Sequence, residues 1–318
     1  TVRMGGIIYL VFAHTGGYSY TSDGIAWTDD IKDAKFLSFW DDKLWGLDNT
    51  GQLWWASTIG TETNEAQLPL PDGYGTALFV ARNAAGVHIL YAGTKVGLFA
   101  HDDANTKFVE TELALPYHPN GGNGSTRWRE RVFIPVGLGV YAYINGSNSA
   151  VITIMGPDRD HGLPSDKRGT IKKLLGTHND LLALLDGTVA PGVGNMYDSG
   201  GLGSHISAAI PPDVGYSEVL GWDEKGWEVK WLSSAGGQAI TAAHISNAYD
   251  SYRLWWAHNQ RVYYMALQPN IINPDEVSTF QYGATATHET PWFNADQTDV
   301  DKLALELRVE VQGANATE

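Results

Sequence analysis

A quartet of strand-sized segments returns along this chain at a nearly constant interval, and that recurrence restricts the fold more than any single motif. The first clear quartet reads FLSFWDD, KLWGLDNT, GQLWWAST and NEAQLPL, with Asn-Thr-Gly making a tight hairpin between its second and third members. The second reads ALFVARN, HILYAGT, GLFAHDD and FVETEL, and the third TRWRER, VFIPVG, GVYAYIN and AVITIMG. With the second segment of each as anchor, Leu44, Ile89 and Val132 are 45 and 43 residues apart, and Leu181 follows after 49. Short alternating runs bounded by Gly, Asn and Asp read as antiparallel strands, whereas helical periodicity is hard to find. A repeat of about 40 to 50 residues marks a radial array in which every quartet is one blade. The expected fold is therefore all-β, a six-bladed β-propeller of four-stranded antiparallel blades.

The fourth quartet is interrupted. TIKKLLGTHN and LLALLDGT are followed by a long segment, 188–215, before YSEVLGWDEKG and WEVKWLSS complete the unit, so blade four carries an insertion. QAITAAHIS, YRLWWAHN, RVYYMAL and STFQYGA restore the pattern as blade five. Ahead of blade one, GIIYLVFAHT, GYSYTSD and IAWTDD supply only three strands, so the amino-terminal blade is expected to lack one. A ring must hide its edges. One candidate for doing so is KLALELRVEV, where Leu303, Leu305, Leu307, Val309 and Val311 point one way and Lys302, Glu306, Arg308 and Glu310 the other. That strand either closes the ring or begins a further β domain, and the linker-like HETPWFNADQTDVD before it favours the second. The expected organisation is a propeller over 1–284 with a linker and strand over 285–318. Because the chain opens TVRMGG without an initiator Met and stops abruptly after GANATE, it reads as a fragment or a processed product.

Charge and composition narrow the partners. The formal net charge of −15 opposes binding to nucleic acid, which relies on clustered Lys and Arg. No apolar run approaches the roughly 20 residues that span a bilayer, and GIIYLVFAHTGG is too short and lacks a basic leader, so membrane insertion is not expected. Cysteine is absent, which removes disulfides, cysteine metal sites and thiol nucleophiles. The 12 tryptophans fit wedges between twisted sheets. In the pairs Trp54–Trp55 and Trp255–Trp256 the neighbours must face opposite sides of their sheet, so each blade can send one ring into either adjoining core.

Few motifs carry chemistry. DRDHGLPSDKRG, 158–169, joins blade three to blade four, and Asp158, Asp160 and Asp166 could hold a hard cation while His161 or an Asp could move a proton. The plainer reading is a turn in which aspartates cap and Gly-Leu-Pro fixes the backbone. SDGIAW, 22–27, resembles the Asp-box turn of sialidase-like propellers but is one residue shorter; in that motif Asp and Gly shape a hairpin and the Trp packs beneath it. The three arginines and the Tyr–Glu pair that sialidase chemistry needs form no recognisable arrangement. The ten histidines lack His-x-His or His-Glu-x-x-His spacing. Gly-rich 121–125 and 201–204 lack the Lys and Ser/Thr of a phosphate loop, and no Gly-x-Ser-x-Gly elbow occurs. No catalytic residue, cofactor or metal is expected. The insertion 188–215 is the strongest partner-facing segment.

GPDRDHGLP with RGTIKKLLGTHNDLLALLDG, LGWDEKGWEVKW and TPWFNADQTDVDKLALELRVEV resemble propeller-containing, mostly uncharacterised proteins of tailed bacteriophages and environmental viruses, from about residue 30 onward. The resemblance implies a structural, non-enzymatic role in a virion, tail-associated, with propeller faces touching other virion proteins or the host surface and the chain acting as an oligomer within an assembly. It carries over no functional residues, since the matching motifs are turn and core elements. The rival expectation is an extracellular carbohydrate-binding or sialidase-like propeller, motivated by the tryptophans and the partial Asp-box; it predicts surplus exposed Trp around one rim, able to stack on a host glycan.

Overall fold

The computed structural model describes residues 2–14, 16–146, 153–156, 169–188, 215–224, 226–247 and 252–267. These form six small antiparallel sheets arranged as the blades of a propeller. The amino-terminal blade holds β1 (Val2–Met4), β2 (Ile7–His14), β3 (Gly17–Thr21) and β4 (Thr28–Asp30). Blade one holds β5 (Phe36–Trp40), β6 (Lys43–Leu47), β7 (Gln52–Ala56) and β8 (Thr63–Gln67). Blade two holds β9 (Gly75–Arg82), β10 (His88–Thr94), β11 (Gly97–Asp102) and β12 (Lys107–Ala114). Blade three holds β13 (Thr126–Trp128), β14 (Arg131–Val136), β15 (Gly139–Tyr143) and β16 (Thr153–Met155). Blade four holds β17 (Thr170–Gly176), β18 (Leu181–Asp186), β19 (Tyr216–Trp222) and β20 (Trp227–Gly236). Blade five holds β21 (Ile240–Ser246), β22 (Arg253–His258) and β23 (Arg261–Ala266); the fourth strand expected over 278–284 lies outside the described residues.

The amino-terminal blade corrects one expectation, because it already has four strands. Val2–Met4 pairs with Ile7–Tyr9 through the two-residue turn Gly5–Gly6, both at positive φ, so VRMGG is a strand and a hairpin turn. Such turns need left-handed backbone at both central positions, which glycine adopts without steric cost and Asp or Asn tolerates. The same device appears at Asp41–Asp42, between β5 and β6, and at Asn259–Gln260, between β22 and β23.

Alternation along each strand divides the core into seams between neighbouring blades. Trp54 enters the core shared by the amino-terminal blade and blade one, with Tyr18 and Leu44, while Trp55 packs into the next core with Trp45, Leu90 and Phe99. In β18, Leu181, Ala183 and Leu185 face blade three, and Leu182 and Leu184 face blade five. This explains a run as uniformly apolar as LLALL, since both broad sides of an interior blade are buried. Two of the buried tryptophans also place their one polar atom across the chain. Trp54 Nε1 donates to the Asp33 carbonyl at 2.8 Å and Trp128 Nε1 to the Thr177 carbonyl at 2.7 Å, each bond crossing a seam.

Each blade starts its first strand at one face of the ring, so the turns between second and third strands and the connections between blades share that face, called the upper face here. Backbone bonds knit it together: Gly73 N to Asn49 O at 2.7 Å, Lys95 N to Tyr74 O at 3.1 Å, Ile171 N to Gly137 O at 2.9 Å and Asn259 N to Ala239 O at 3.2 Å. At the hub, Leu174 N donates to Gly124 O at 2.9 Å and Lys173 Nζ to Ala243 O at 2.8 Å, linking successive inner strands. Burial pushes the Lys173 ammonium below the usual lysine range.

Candidate functional site

Asp158, Asp160, His161 and Asp166 lie outside the described residues, as do 189–214 of the insertion and the segment 302–311 expected to be a strand. Residues that flank the first two segments are described, and three of them meet. Gly169, where the chain returns after 157–168, packs on Asp186; a Cβ at Gly169 would stand 2.5 Å from the Asp186 carbonyl oxygen. Gly187 and Gly215, the two stems of the insertion, pack on each other so closely that a Cβ at Gly187 would meet the Gly215 carbonyl oxygen at 2.5 Å. Backbone approaching backbone at this distance leaves room only for hydrogen. The described residues Gly169, Gly187 and Gly215 thus lie together beside Asp186, at the upper face of blade four.

The base beneath them is polar and buried. Asp186 accepts from Thr188 N at 3.0 Å and from Thr188 Oγ1 at 2.6 Å, and Lys172 Nζ lies 3.2 Å from its other oxygen. Ser217 Oγ accepts from Gly187 N at 2.9 Å and donates to the Gln238 carbonyl. Ser217 N in turn donates to Ser233 Oγ at 3.1 Å. These bonds satisfy the chain where it leaves the ladder, so β18 and β19 stay paired from Leu181–Trp222 to Leu185–Glu218 without help from the insertion itself. The arrangement is a hydrogen-bonded base at the upper end of blade four.

A cleft that sequence reasoning did not find opens on the opposite, lower face between blades one and two. It encloses about 440 Å³, lined by Trp40 on the blade-one side and by Val87, Ile89, Ala100, Asp102 and Val109 of blade two, with His101 at its inner wall. His101 is buried between Trp45, at 5.4 Å between ring centroids, and Phe108, at 5.8 Å. Burial lowers its pKa, and Glu65, whose carboxylate is 3.9 Å from Nε2, offsets this only in part. The imidazole is therefore neutral near pH 7. The walls of the cleft come from turns about 45 residues apart in the chain, a juxtaposition that only the ring creates. Among the described residues no group of three or more His, Asp or Glu side chains could hold a metal ion.

The Asp-box-like turn forms as the residues suggest. Asp23 Oδ1 accepts from Ile25 N at 2.8 Å and Ala26 N at 2.9 Å, these bonds being the main cause of its lowered pKa, and Gly24 takes positive φ. Trp27 departs from that motif: it does not lie beneath the turn but is 46% exposed, edge-on to Phe12 at 5.1 Å. Two Tyr–Glu pairs occur, Tyr18 with Glu62 and Tyr143 with Glu112, each joining neighbouring blades. Burial, with the carboxylate acceptor adding to it, drives both phenols well above the usual tyrosine range, so they are interblade pins and remain protonated.

The sheet arrangement defines the protein as a six-bladed β-propeller, a fold that usually mediates binding. Among solved structures it is similar to the extracellular domain of BT4673 from B. thetaiotaomicron, with a TM-score of 0.53 and 16% identity, covering 83% of this chain and 32% of that one. Ycf48 from Cyanidioschyzon merolae has a TM-score of 0.48 and 10% identity, with 81% and 78% of the two chains covered. This chain therefore spans about a third of the BT4673 chain, and at such identity the likeness concerns the fold alone. No protein-family model and no curated protein matches the sequence.

Proposed function

We propose that this propeller is a non-enzymatic interaction protein that binds a macromolecular partner through the upper face above blade four. The observation supporting the reading is the convergence of Gly169 with Asp186 and of Gly187 with Gly215, residues that adjoin the charged linker 157–168 and the insertion in the sequence, beside one buried carboxylate. Rigid scaffolds commonly place recognition on loops in this way. The setting we propose is a tailed-phage particle, where the partner is another virion protein or the host surface and the chain works as one copy within an oligomeric assembly; the sequence resemblance motivates that setting. The test is a variant in which Asn-Gly replaces 189–214, imaged with an antibody on purified particles. Labelled wild-type particles and unlabelled variant particles support the proposal. Wild-type particles without label remove the virion setting, and equal labelling by the variant removes the insertion as the binding element.

The glycan-binding alternative draws on the lower cleft and its wall residue Trp40. It expects a rim of surplus exposed tryptophans, yet among the described residues only Trp27 is exposed; Trp255 lies against Tyr264 and the others pack in the seams. A glycan array read alongside a fluorogenic sialoside assay decides between the readings. Binding that Trp40→Ala abolishes would replace the first proposal with the second.

A further inference from the structure

The second and third strands of blade two part at the lower face. Their ladder begins only at Tyr91–Ala100 and runs to Gly93–Leu98, whereas β10 stays paired with β9 as far as His88–Arg82 and β11 with β12 as far as Asp102–Lys107. In blades three, four and five the equivalent ladder reaches the lower end of the sheet, at Val132–Tyr143, Leu181–Trp222 and Arg253–Ala266. Blade two is therefore forked, with His88–Leu90 on one prong and His101–Asp102 on the other, and the lower cleft occupies the fork.

The fork brings together an apolar wall, a carboxylate and an imidazole with nothing to bond. Val87 and Val109 are exposed on its wall, and Trp40 closes the blade-one side. The His101 side chain is fully buried, yet neither ring nitrogen has a hydrogen-bond partner among the described residues. A buried polar atom left unbonded is rare and costly, and a ligand that bonds it removes the cost. Glu65 decides which nitrogen accepts. Trp55 Nε1 holds Glu65 Oε2 at 3.0 Å, and Oε1 faces His101 Nε2 at 3.9 Å, which favours the proton on Nε2 and leaves the lone pair on Nδ1. Of the two carboxylates lining the cleft, Asp102 is taken up by Asn105 N and Nδ2, at 3.3 and 2.7 Å, whereas Asp103 is exposed and has no such bond among the described residues. No lysine or arginine is among the described lining residues, since the neighbouring Lys43 lies over the Trp55 ring at 4.4 Å.

We propose that this fork binds an aromatic primary amine, its ring against Trp40 and the valines and its ammonium donating to His101 Nδ1 and facing Asp103. The lining aspartates, with Glu65 behind His101, disfavour an anion. A neutral alcohol could make the bond to His101 but would lack the ionic contribution. A volume of about 440 Å³ has room for a two-ring aromatic on a short stem, more than a lone alkyl chain fills. The site lies on the face opposite the base above blade four, so it stands or falls independently of the function proposed there.

The test is calorimetric titration of the full chain with tryptamine, tryptophol and indole-3-acetate, which share the indole and differ in the terminal group. Tryptamine should bind one site at least about 10-fold more tightly than tryptophol, because a charge-assisted hydrogen bond exceeds a neutral one, and indole-3-acetate should not bind. Asp103→Asn, a surface change, should weaken tryptamine about 3-fold and leave tryptophol unaffected, whereas His101→Phe should weaken both by about 10-fold. In NMR spectra with labelled histidine, tryptamine should move the ring signals of His88 and His101, which alone among the described histidines line the cleft. Should His101→Phe fail to fold, the Asp103→Asn titration and these shifts decide the matter. No tryptamine binding, equal affinity for tryptamine and tryptophol, indifference to Asp103→Asn, or unmoved His88 and His101 signals each overturns the proposal. So does tighter binding of Nα-acetyl-lysine methylamide, which would assign the fork to a lysine of a partner protein.

Discussion

Replacing Gly46 by alanine tests the packing of the amino-terminal seam at its tightest point. Gly46 on β6 is the registered partner of Trp54 on β7, and the indole folds back over it. A Cβ there would stand 2.8 Å from Trp54 Cη2, with Cζ2 and Cε2 nearer still, where carbon atoms need about 3.5 to 4.0 Å. The ring cannot yield cheaply: it is fully buried, stacked on Tyr18 at 5.5 Å and 26°, and tied by Nε1 to the Asp33 carbonyl. Overpacking costs about 1 to 3 kcal/mol, and loss of the indole hydrogen bond about 1 kcal/mol more. The narrower unfolded ensemble of alanine returns about 0.4 to 1 kcal/mol. The net destabilisation is about 1 to 3.6 kcal/mol, which at about 2 °C per kcal/mol lowers the thermal midpoint by roughly 2 to 7 °C. Differential scanning fluorimetry reads this directly, with Gly226→Ala as a control because a Cβ there meets nothing within 4 Å. In a Trp54→Leu background the added methyl should cost less than about 0.5 kcal/mol, since the clashing ring is gone. A Gly46→Ala midpoint within about 1 °C of wild type, or an undiminished loss beside Trp54→Leu, would refute the reasoning.

Four further outcomes are expected. Tyr143→Phe removes the pin to Glu112 and should cost about 1 kcal/mol in urea unfolding near neutral pH. Because that bond lowers the Glu112 pKa, its stabilisation is complete above the ordinary glutamate range and fades as pH falls through the folded value, so wild type and variant should converge in acid. His101 should titrate below the ordinary histidine range by NMR, and since its folded pKa is depressed, stability should drop as pH falls below the ordinary histidine value, a slope that His101→Phe removes. Asp186→Ala unpairs Lys172 and both Thr188 donors, for a loss of about 1 to 3 kcal/mol by urea unfolding. Exchanging 189–214 for Asn-Gly should leave the thermal midpoint within about 2 °C, because the β18–β19 ladder is complete without the insertion.

The ring was legible because its repeat rests on strand parity. Leu44, Ile89 and Val132 each fall second in β6, β10 and β14 and Leu181 opens β18; Leu44, Val132 and Leu181 face the preceding blade, whereas Ile89 is out of step and faces the following one. The paired tryptophans divided between seams for the same reason. Val2–Met4 escaped notice because three residues with a charged centre show no run to count; Gly5–Gly6 was the available signal. Trp27 was misplaced by analogy with a longer turn, whereas the register of Tyr20 with Thr28 puts it beside Phe12. The lower cleft and the meeting of Gly169 with Asp186 could not be read, since both depend on which turns share a face, and this is set by sheet order rather than local pattern.

The alternation within β18 has a mechanical consequence. Tearing blade four out of the ring would wet two leucine layers at once, whereas peeling away either terminal sheet would wet one of the described layers. Deuterium uptake should accordingly rise from the middle of the chain towards both of its ends, so that this closed-looking disc breathes like a ladder with two loose rungs.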